Sequence, residues 1–247
     1  MNDQAPQRVA LVTGGSRGIG AAIVHRLAAD GFAVAINYAA SAAQAEALAD
    51  EIRQAGGRAL AVRADVSTPA QVRAMFEAVE AGLGRIDVLV NSAGVLQVQP
   101  LAETSDELYD QTFDINTRGT FNTLREAAAR LADGGSIVNV SSTTVALNLP
   151  GYSVYIASKA AVESFTQVFA KELRGRRIRV NAVAPGPVAT ALFFKGKSPE
   201  LIEHYAKMPP LERLGQPDDI AGIVSFLAGS DSGWVNGQIL RANGGVA

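Results

Sequence analysis

The chain has 247 residues, of which 48% are hydrophobic and 19% are charged, and its formal net charge is -2. This length fits one large α/β domain or two small ones, with ample material for a core, and the balanced charge gives no electrostatic footprint for nucleic acid or an anionic membrane. The chain has no cysteine, which excludes disulfides, thiolate metal sites and a cysteine nucleophile, and its two histidines, His25 and His204, exclude a histidine-rich metal site.

We expect a soluble, cytoplasmic protein. Residues 1–7 lack the basic and apolar blocks of a signal peptide, and no run of about 18 apolar residues suggests a membrane span. We expect no metal cofactor, no nucleic-acid partner and no membrane partner.

Apolar, β-branched runs alternate with longer amphipathic stretches along the chain. The predicted strands are residues 8–13, 33–37, 58–64, 86–91, 136–141, 178–184 and 237–241, and the predicted helical stretches are residues 18–30, 41–55, 69–83, 105–131, 153–173 and 217–228. Nearly continuous apolar strands are typical of a parallel sheet covered on both faces. The alternation predicts the α/β class: a single-domain Rossmann fold over residues 1–247, with a doubly wound, seven-stranded parallel sheet and helices on both faces.

The first predicted strand runs directly into a glycine-rich turn, Thr-Gly-Gly-Ser-Arg-Gly-Ile-Gly at residues 13–20, and a helical stretch follows. The glycines allow a tight turn and close approach of the backbone to a pyrophosphate, and the helix N-terminus adds unpaired N–H groups and a partial positive charge. The turn therefore predicts a dinucleotide site. A tight turn without a ligand is the alternative.

The end of the second strand indicates which dinucleotide binds. Folds that prefer NAD place Asp or Glu about 20 residues past the glycines, where it holds the ribose 2′-hydroxyl. Here the region carries Asn37, Tyr38 and Ser41, with no acid to repel a 2′-phosphate, and Arg17 adds a cation in the glycine turn. These residues predict NADP(H) rather than NAD(H), with a solvated surface charge as the alternative for Arg17.

Asp65 and Val66 follow the third predicted strand. At this position they can meet the adenine of a dinucleotide. Asp65 can equally be the cap of the helix that begins near Pro69, and the sequence leaves both interpretations open.

Tyr155 and Lys159 lie four residues apart in a predicted helix, so they share one face. The pKa of a free tyrosine is about 10, and lowering it to about 7 requires roughly 4 kcal/mol of preference for the phenolate. One positive charge about 4 Å away supplies about that much. We therefore expect Lys159 to favour the phenolate and Tyr155 to act as an acid or base; an ordinary surface pair is the alternative.

Residues 186–210 are the least regular stretch, with four prolines and two glycines. A long loop of this kind in a compact domain is usually functional. We predict a substrate loop or lid, with a plain surface insertion as the alternative.

Sequence elements along nearly the whole chain resemble the short-chain dehydrogenase/reductase family, in its compact branch of about 250 residues. Residues 13–20 resemble the family's Thr-Gly-x-x-x-Gly-x-Gly, and residues 91–94, Asn-Ser-Ala-Gly, resemble its Asn-Asn-Ala-Gly with serine in second place. Asn116, Ser142, Tyr155 and Lys159 fall where the family has its catalytic tetrad. The pair at 185–186, Pro-Gly, followed by Thr190 resembles the element that borders the nicotinamide.

The resemblance implies a role for each tetrad residue. Tyr155 would be the general acid that protonates a carbonyl oxygen as hydride arrives from C4 of the nicotinamide. Ser142 would donate a hydrogen bond to the same oxygen, Lys159 would hold the nicotinamide ribose, and Asn116 would anchor a water that passes protons to Lys159. Taken singly, Ser142 can also be a strand-end turn residue, and Asn116 an asparagine that solvates its own backbone.

The resemblance also implies NADP(H) as the preferred cofactor and a set of residues that contact it. These are Gly14, Ser16, Arg17, Gly18, Ile19, Gly20, Asn37, Tyr38, Ser41, Asp65, Val66, Asn91, Ala93, Gly94, Tyr155, Lys159, Pro185, Gly186, Val188 and Thr190. Most members of the family form homotetramers, and we expect the same here.

The substrate predicted from the resemblance is a ketone. Within the family, the sequence most resembles 3-oxoacyl-(acyl-carrier-protein) reductases, which carry two basic regions that suit an acidic carrier protein. Residues 174–177, Arg-Gly-Arg-Arg, match one of these regions, whereas residues 131–136 lack the other.

The candidate substrate walls are residues 95–96, 143–152 and 192–208, and they are largely apolar. We therefore predict reduction of a 3-oxoacyl thioester or of another apolar or aromatic carbonyl. The alternatives are an NAD(P)-dependent alcohol dehydrogenase acting on a sugar or polyol, and a non-catalytic NADP(H)-sensing protein.

Overall fold

The computed structural model describes residues 7–247. Most of the amino-terminal segment for which we predict no signal peptide, residues 1–6, lies outside this range. None of the helices described below is long and apolar enough to cross a membrane.

Within the described range, one sheet contains seven strands. They are β1 (Val9–Thr13), β2 (Ala33–Tyr38), β3 (Ala59–Arg63), β4 (Ile86–Asn91), β5 (Ser136–Val140), β6 (Arg179–Pro185) and β7 (Ile239–Ala242). Their order across the sheet is β3-β2-β1-β4-β5-β6-β7, and every neighbouring pair is parallel. The predicted seven-stranded parallel sheet is confirmed.

Helices connect the strands and cover the sheet. They are α1 (Gly18–Ala29), α2 (Ala42–Gln54), α3 (Pro69–Gly82), α4 (Asp106–Phe113), α5 (Gly119–Arg130), α6 (Thr144–Leu147), α7 (Ser153–Glu172), α8 (Ala191–Phe194), α9 (Pro199–Lys207) and α10 (Pro217–Ala228).

Apolar side chains cover both faces of the sheet. Successive residues of a strand point to opposite faces. Ala10 and Val12 of β1 join a cluster with α1, α2 and α10, which we call the α1/α2 face, whereas Val9 and Leu11 join a cluster with α3 and α5, the α3/α5 face. All of β1 is buried, which explains why the central strand is apolar throughout.

The strand order reverses between β1 and β4. The last residues of these strands, Thr13 and Asn91, are in register. Open α/β sheets bind ligands outside the carboxyl ends of the strands at such a reversal. The glycine turn after Thr13 and the segment after Asn91 therefore meet where a ligand is expected.

The predicted helical stretch at residues 105–131 contains a π-helical turn, Asp114–Arg118, between α4 and α5. Asn116 lies in this turn, and its side chain bonds to the backbone of Val95, outside the helix. The wider turn therefore occurs where the Asn116 side chain is hydrogen-bonded to the segment after β4. Turns of this kind occur frequently at functional sites.

Residues 186–210, expected to be a long loop, contain the short helices α8 and α9. The hydroxyl of Ser198 accepts the N–H of Leu201, and Pro199 occupies the first turn of α9. Serine before proline is a typical helix start, so the sequence contained a signal for α9 among the prolines.

Candidate active site

The glycine turn is built for close backbone approach. Gly14 has φ +62°, and a Cβ at this position would lie 2.8 Å from Cα of Ala93. The Thr13 hydroxyl accepts the N–H groups of Ser92 and Ala93 over 3.1 and 3.2 Å. The predicted cofactor residues after β1 and after β4 are therefore joined in one structure.

Helix α1 begins with free donors at this turn. Arg17 precedes the helix in extended conformation without a side-chain cap, and the first turn contains no acidic residue. Ser16 and Ile19 are half-buried, and Arg17 is exposed. Uncapped N–H groups and the positive end of the helix dipole form a site that fits a pyrophosphate.

Asn37 shapes this turn from the end of β2. Its side chain is 1% exposed; Nδ2 donates to the carbonyl of Ala64 over 3.0 Å, and Oδ1 accepts the N–H of Gly14 over 3.3 Å. Asn37 therefore supports the turn, while Tyr38 and Ser41 remain partly accessible. A direct contact between Asn37 and a cofactor stays a prediction.

The structure decides against one of the two interpretations of Asp65, namely that it caps helix α3. Its carboxylate accepts the N–H and the hydroxyl of Ser67 over 2.9 and 2.8 Å. The residue at the N-cap of α3 is Thr68, so Asp65 closes a local turn and does not cap the helix. The carbonyl of Val66 accepts from Asn122 of α5, which fixes this loop at the carboxyl end of β3.

Asn116 and Lys159 converge on Gly94. A Cβ at Gly94 would lie 3.3 Å from Oδ1 of Asn116 and 3.4 Å from Nζ of Lys159. Asn116 is fully buried, and its amide accepts the N–H of Val95 over 2.8 Å and donates to Ser158 over 3.0 Å. Glycine is needed at 94 because a side chain there would crowd both groups.

Ser142 and Tyr155 lie at the end of β5 and the start of α7. The Ser142 hydroxyl accepts the hydroxyl of Thr144 over 2.9 Å. Burial raises the pKa of Tyr155, and a hydrogen bond with Ser142 acts in the opposite direction. At neutral pH Tyr155 is therefore protonated, the form that can donate a proton.

This shift differs from our expectation that Lys159 lowers the pKa of Tyr155. Lys159 is only 5% exposed, and burial lowers its own pKa to about 8. Its Nζ donates to the carbonyl of Val140 over 2.8 Å and lies 5.9 Å from the centroid of the Tyr155 ring. Loss of hydration is the largest cause of both pKa shifts, and sequence spacing does not show it.

The element at residues 185–190 borders the same site. The carbonyl of Pro185 accepts the N–H of Thr143 over 2.9 Å, which places the end of β6 beside Ser142. A Cβ at Gly18 would lie 3.5 Å from Cγ2 of Thr190. Gly186 and Val188 lie between these contacts, so the structure brings this predicted element together with the glycine turn and the tetrad.

Two buried polar residues were missed by the sequence reasoning. Ser158 accepts from Asn116 and donates to the carbonyl of Tyr155 over 2.7 Å, so it couples two tetrad members. Asn139 accepts from Asn91 over 2.8 Å and donates to Thr166 over 2.9 Å, which ties β4 and β5 to α7.

A signal for Asn139 was present in the sequence. Asn91 is the last residue of apolar strand β4 and Asn139 lies within apolar strand β5, and the two are register partners in the sheet. Amides at matching positions of neighbouring strands are typical of a buried cross-strand hydrogen bond. Ser158 carried no such signal beyond its position between Tyr155 and Lys159.

The donor set fits a dinucleotide and does not resemble a metal centre. Among residues 7–247, no group of three or more His, Asp or Glu side chains is arranged to hold a metal ion. The backbone cradle at Gly14, the uncapped α1 and the Lys159 ammonium instead match phosphate and ribose oxygens.

Known proteins are similar to this chain along most of its length. Residues 14–247 match a family model described as enoyl-(acyl carrier protein) reductase. An NADPH-dependent aldehyde reductase-like protein of Arabidopsis thaliana chloroplasts is 48% identical, with 96% of this chain and 93% of that protein covered. A probable tetrahydroxynaphthalene reductase of Zymoseptoria tritici is 39% identical, with 96% and 93% covered.

The solved structures give the same result. A blue fluorescent protein from a metagenomic library, crystallised with NADPH, superposes with a TM-score of 0.93 at 41% identity, and the match covers 98% of each chain. The glycine turn, the tetrad positions and these similarities agree: the chain belongs to the short-chain dehydrogenase/reductase family.

Proposed function

We propose that the protein is an NADPH-dependent reductase that converts an apolar or aromatic ketone, or a 3-oxoacyl thioester, to a secondary alcohol with Tyr155 as general acid. The observation that carries the proposal is the grouping of Ser142, Tyr155 and Lys159 at one end of β5 and α7, with Lys159 fixed to the carbonyl of Val140. An oxidoreductase acting on carbonyl compounds with NADP(H) agrees with the named activities of the relatives.

Each tetrad residue has a separate task in this proposal. When bound, the nicotinamide supplies a hydride to the carbonyl carbon. Tyr155 donates its Oη proton to the carbonyl oxygen, and the raised pKa keeps that proton available. Ser142 donates a hydrogen bond to the same oxygen. Lys159 has N–H protons besides the one it donates to Val140, and these can hold ribose hydroxyls or pass a proton to Tyr155.

NADP(H) is the preferred cofactor. The turn after β2 has no acidic residue between Asn37 and Ser41, so a 2′-phosphate meets no like charge there. Arg17 is exposed beside the start of α1. The relative from Arabidopsis is named as NADPH-dependent, and the blue fluorescent protein binds NADPH.

An aromatic series next to Tyr155 supports an apolar substrate. The Tyr152 ring meets the Tyr155 ring edge-on at 6.4 Å, and its hydroxyl lies 3.4 Å from that of Tyr205 on α9. Tyr205 in turn meets Phe193 of α8 at 5.6 Å. Rings beside the general acid favour a flat or apolar substrate over a polyol, and one relative is a probable tetrahydroxynaphthalene reductase.

A substrate panel tests the proposal. Steady-state rates with NADPH are to be measured for an acetoacetyl thioester, aromatic ketones, and sugars or polyols. We expect turnover of the first two classes. Activity confined to sugars or polyols would favour the sugar dehydrogenase alternative. Binding of NADPH with no turnover of any carbonyl would favour the sensing protein.

Three further points stay predictions from the sequence. They are the homotetramer, the cytoplasmic location and the docking of an acyl-carrier protein. For the carrier protein, Arg176 of the predicted basic region is engaged with the protein itself, because its guanidinium pairs with Asp133 over 2.8 Å. This contact weakens the case for a carrier at that region.

A further inference from the structure

Arg63, the last residue of β3, extends over the turn that follows β2. It is exposed, and its Nε donates to the carbonyl of Ala39 over 3.3 Å. In a dinucleotide fold, the turn after β2 is the segment that meets the 2′ position of the adenosine ribose. The contact with Ala39 therefore holds a guanidinium at the place where NADP(H) differs from NAD(H).

The sheet register puts Arg63 on the α1/α2 face. Arg63 is the register partner of Tyr38, and side chains of in-register residues point to the same face. Tyr38 packs against the cluster of the α1/α2 face. Arg63 therefore shares this face with α1, which Arg17 precedes, and with α2, which Ser41 precedes.

The start of α2 on this face is open to an anion. Ser41 is the N-cap of α2, yet its side chain makes no capping hydrogen bond, and the first turn of α2 has no acidic residue. Among residues 7–247, no carboxylate forms an ion pair with Arg17 or Arg63. Arg63, the hydroxyl of Ser41 and the positive end of α2 therefore border the turn, and Arg17 precedes α1 on the same face of the sheet.

We propose that Arg63 binds the 2′-phosphate of NADP(H), and that it sets the cofactor preference together with Arg17 and Ser41. The inference rests on the proposed use of NADP(H). Arginine suits the task because its planar guanidinium can donate one N–H to Ala39 and others to phosphate oxygens.

Titration calorimetry with NADP⁺, NAD⁺, 2′,5′-ADP and 5′-ADP tests this assignment without using activity. In Arg63→Gln, we expect about tenfold weaker binding of NADP⁺ and 2′,5′-ADP, with NAD⁺ and 5′-ADP unchanged, because an exposed charge-assisted hydrogen bond to phosphate is lost. Arg63→Lys should restore part of the affinity for NADP⁺, since it returns the charge without the planar fork.

Arg58→Gln is the matched control, because Arg58 precedes the same strand at its other end and donates to Gly82 and Leu83. It should leave all four affinities unchanged. Equal weakening of NADP⁺ and NAD⁺ in Arg63→Gln would show that Arg63 only shapes the Ala39 turn, and would overturn the assignment. A wild-type protein that binds NADP⁺ no better than NAD⁺ would overturn the proposed cofactor itself.

Discussion

The polar floor of the site and the segment above it are held in opposite ways. The polar floor consists of three residues proposed to be catalytic, Asn116, Ser142 and Lys159, which are 0%, 8% and 5% exposed and bond to neighbouring protein groups. Residues 191–207 are part of the stretch proposed as a substrate lid, and we call them the lid segment. They leave Leu192 47% exposed and Phe194 40% exposed.

This difference leads us to expect that the polar floor controls the rate of the reaction and that the lid segment controls the choice of substrate. A buried polar side chain with its partners satisfied has one favourable position, because leaving that position exposes unpaired groups to an apolar interior. Exposed apolar side chains on short helices carry no such penalty. We therefore expect changes in the floor to alter the rate of the reaction, and changes in the lid segment to alter which ketone is accepted.

Tyr155→Phe gives the largest expected effect. Removal of the phenolic proton should lower kcat by about 10³-fold, within the range of general acid catalysis, while the affinity for NADPH changes little. Stopped-flow or steady-state kinetics with fluorescence titration of NADPH measures both. Tyr152→Phe, three residues earlier on the same wall, is the control and should retain most of kcat. A Tyr155→Phe protein that keeps a tenth of the wild-type rate would contradict the role of Tyr155.

Asn139→Leu tests the buried hydrogen bonds that tie β4 and β5 to α7. The substitution keeps the branched shape of the side chain but leaves the amide of Asn91 and the hydroxyl of Thr166 without their buried partner, so the free energy of unfolding should fall by about 2–3 kcal/mol. Urea unfolding measures the change. Gln97→Ala, at an exposed amide, should be nearly neutral. An equal effect of the two substitutions would show that the Asn139 hydrogen bonds add nothing.

A pH profile tests the burial of Lys159. Its folded-state pKa of about 8 lies below the ordinary 10.5, so Lys159 loses its charge as the pH rises through about 8. We expect kcat/KM for NADPH to fall by about tenfold per pH unit above that value. A profile flat from about pH 7 to about pH 9.5 would contradict a catalytic charge on Lys159.

The lowered pKa of Lys159 also makes the free energy of unfolding depend on pH. The unfolded chain binds more protons at Lys159 between about pH 8 and 10.5, so this group makes the free energy of unfolding rise with pH across that window. The stability present above about pH 10.5 is lost as the pH falls from about 10.5 to about 8. Urea unfolding of the wild type and of Lys159→Met at several pH values should show that rise only in the wild type.

Tyr205→Phe should have the smallest effect. It removes the hydroxyl pair with Tyr152 and keeps the ring against Phe193, so we expect KM for the ketone to change about two- to fivefold with kcat nearly constant. Tyr109→Phe, at an exposed ring on α4, should leave both constants unchanged. A large loss of kcat in Tyr205→Phe would mean that the lid segment belongs to the catalytic machinery after all.

The strands of the sheet could be predicted because each is marked by a run of consecutive apolar residues. Runs such as Val9 to Val12 are apolar at every position, and that pattern alone indicates a strand covered on both faces. The glycine turn and the four tetrad positions were also accessible, since each belongs to a short motif with fixed spacing.

Other features depend on distances in space that spacing along the chain does not carry. Tyr152 and Tyr205 are separated by 53 positions, and only the placement of α9 brings their hydroxyls together. The pKa of Lys159 depends on its burial, which no run of residues around it specifies. The π-helical turn at Asp114–Arg118 was hidden because it contains no glycine or proline that would mark an irregularity in the helix.

The buried amide of Asn37 has a practical consequence for redesign of the coenzyme pocket. An aspartate substituted there would direct its oxygens at the carbonyls of Val62 and Ala64, which Asn37 now serves as donor, and would destabilise the turn instead of recruiting a ribose. Tyr38, the last residue of β2, points to the opposite face of the sheet from Asn37. A variant intended to accept NAD(H) should therefore carry its new acid at position 38, with Asn37 left in place.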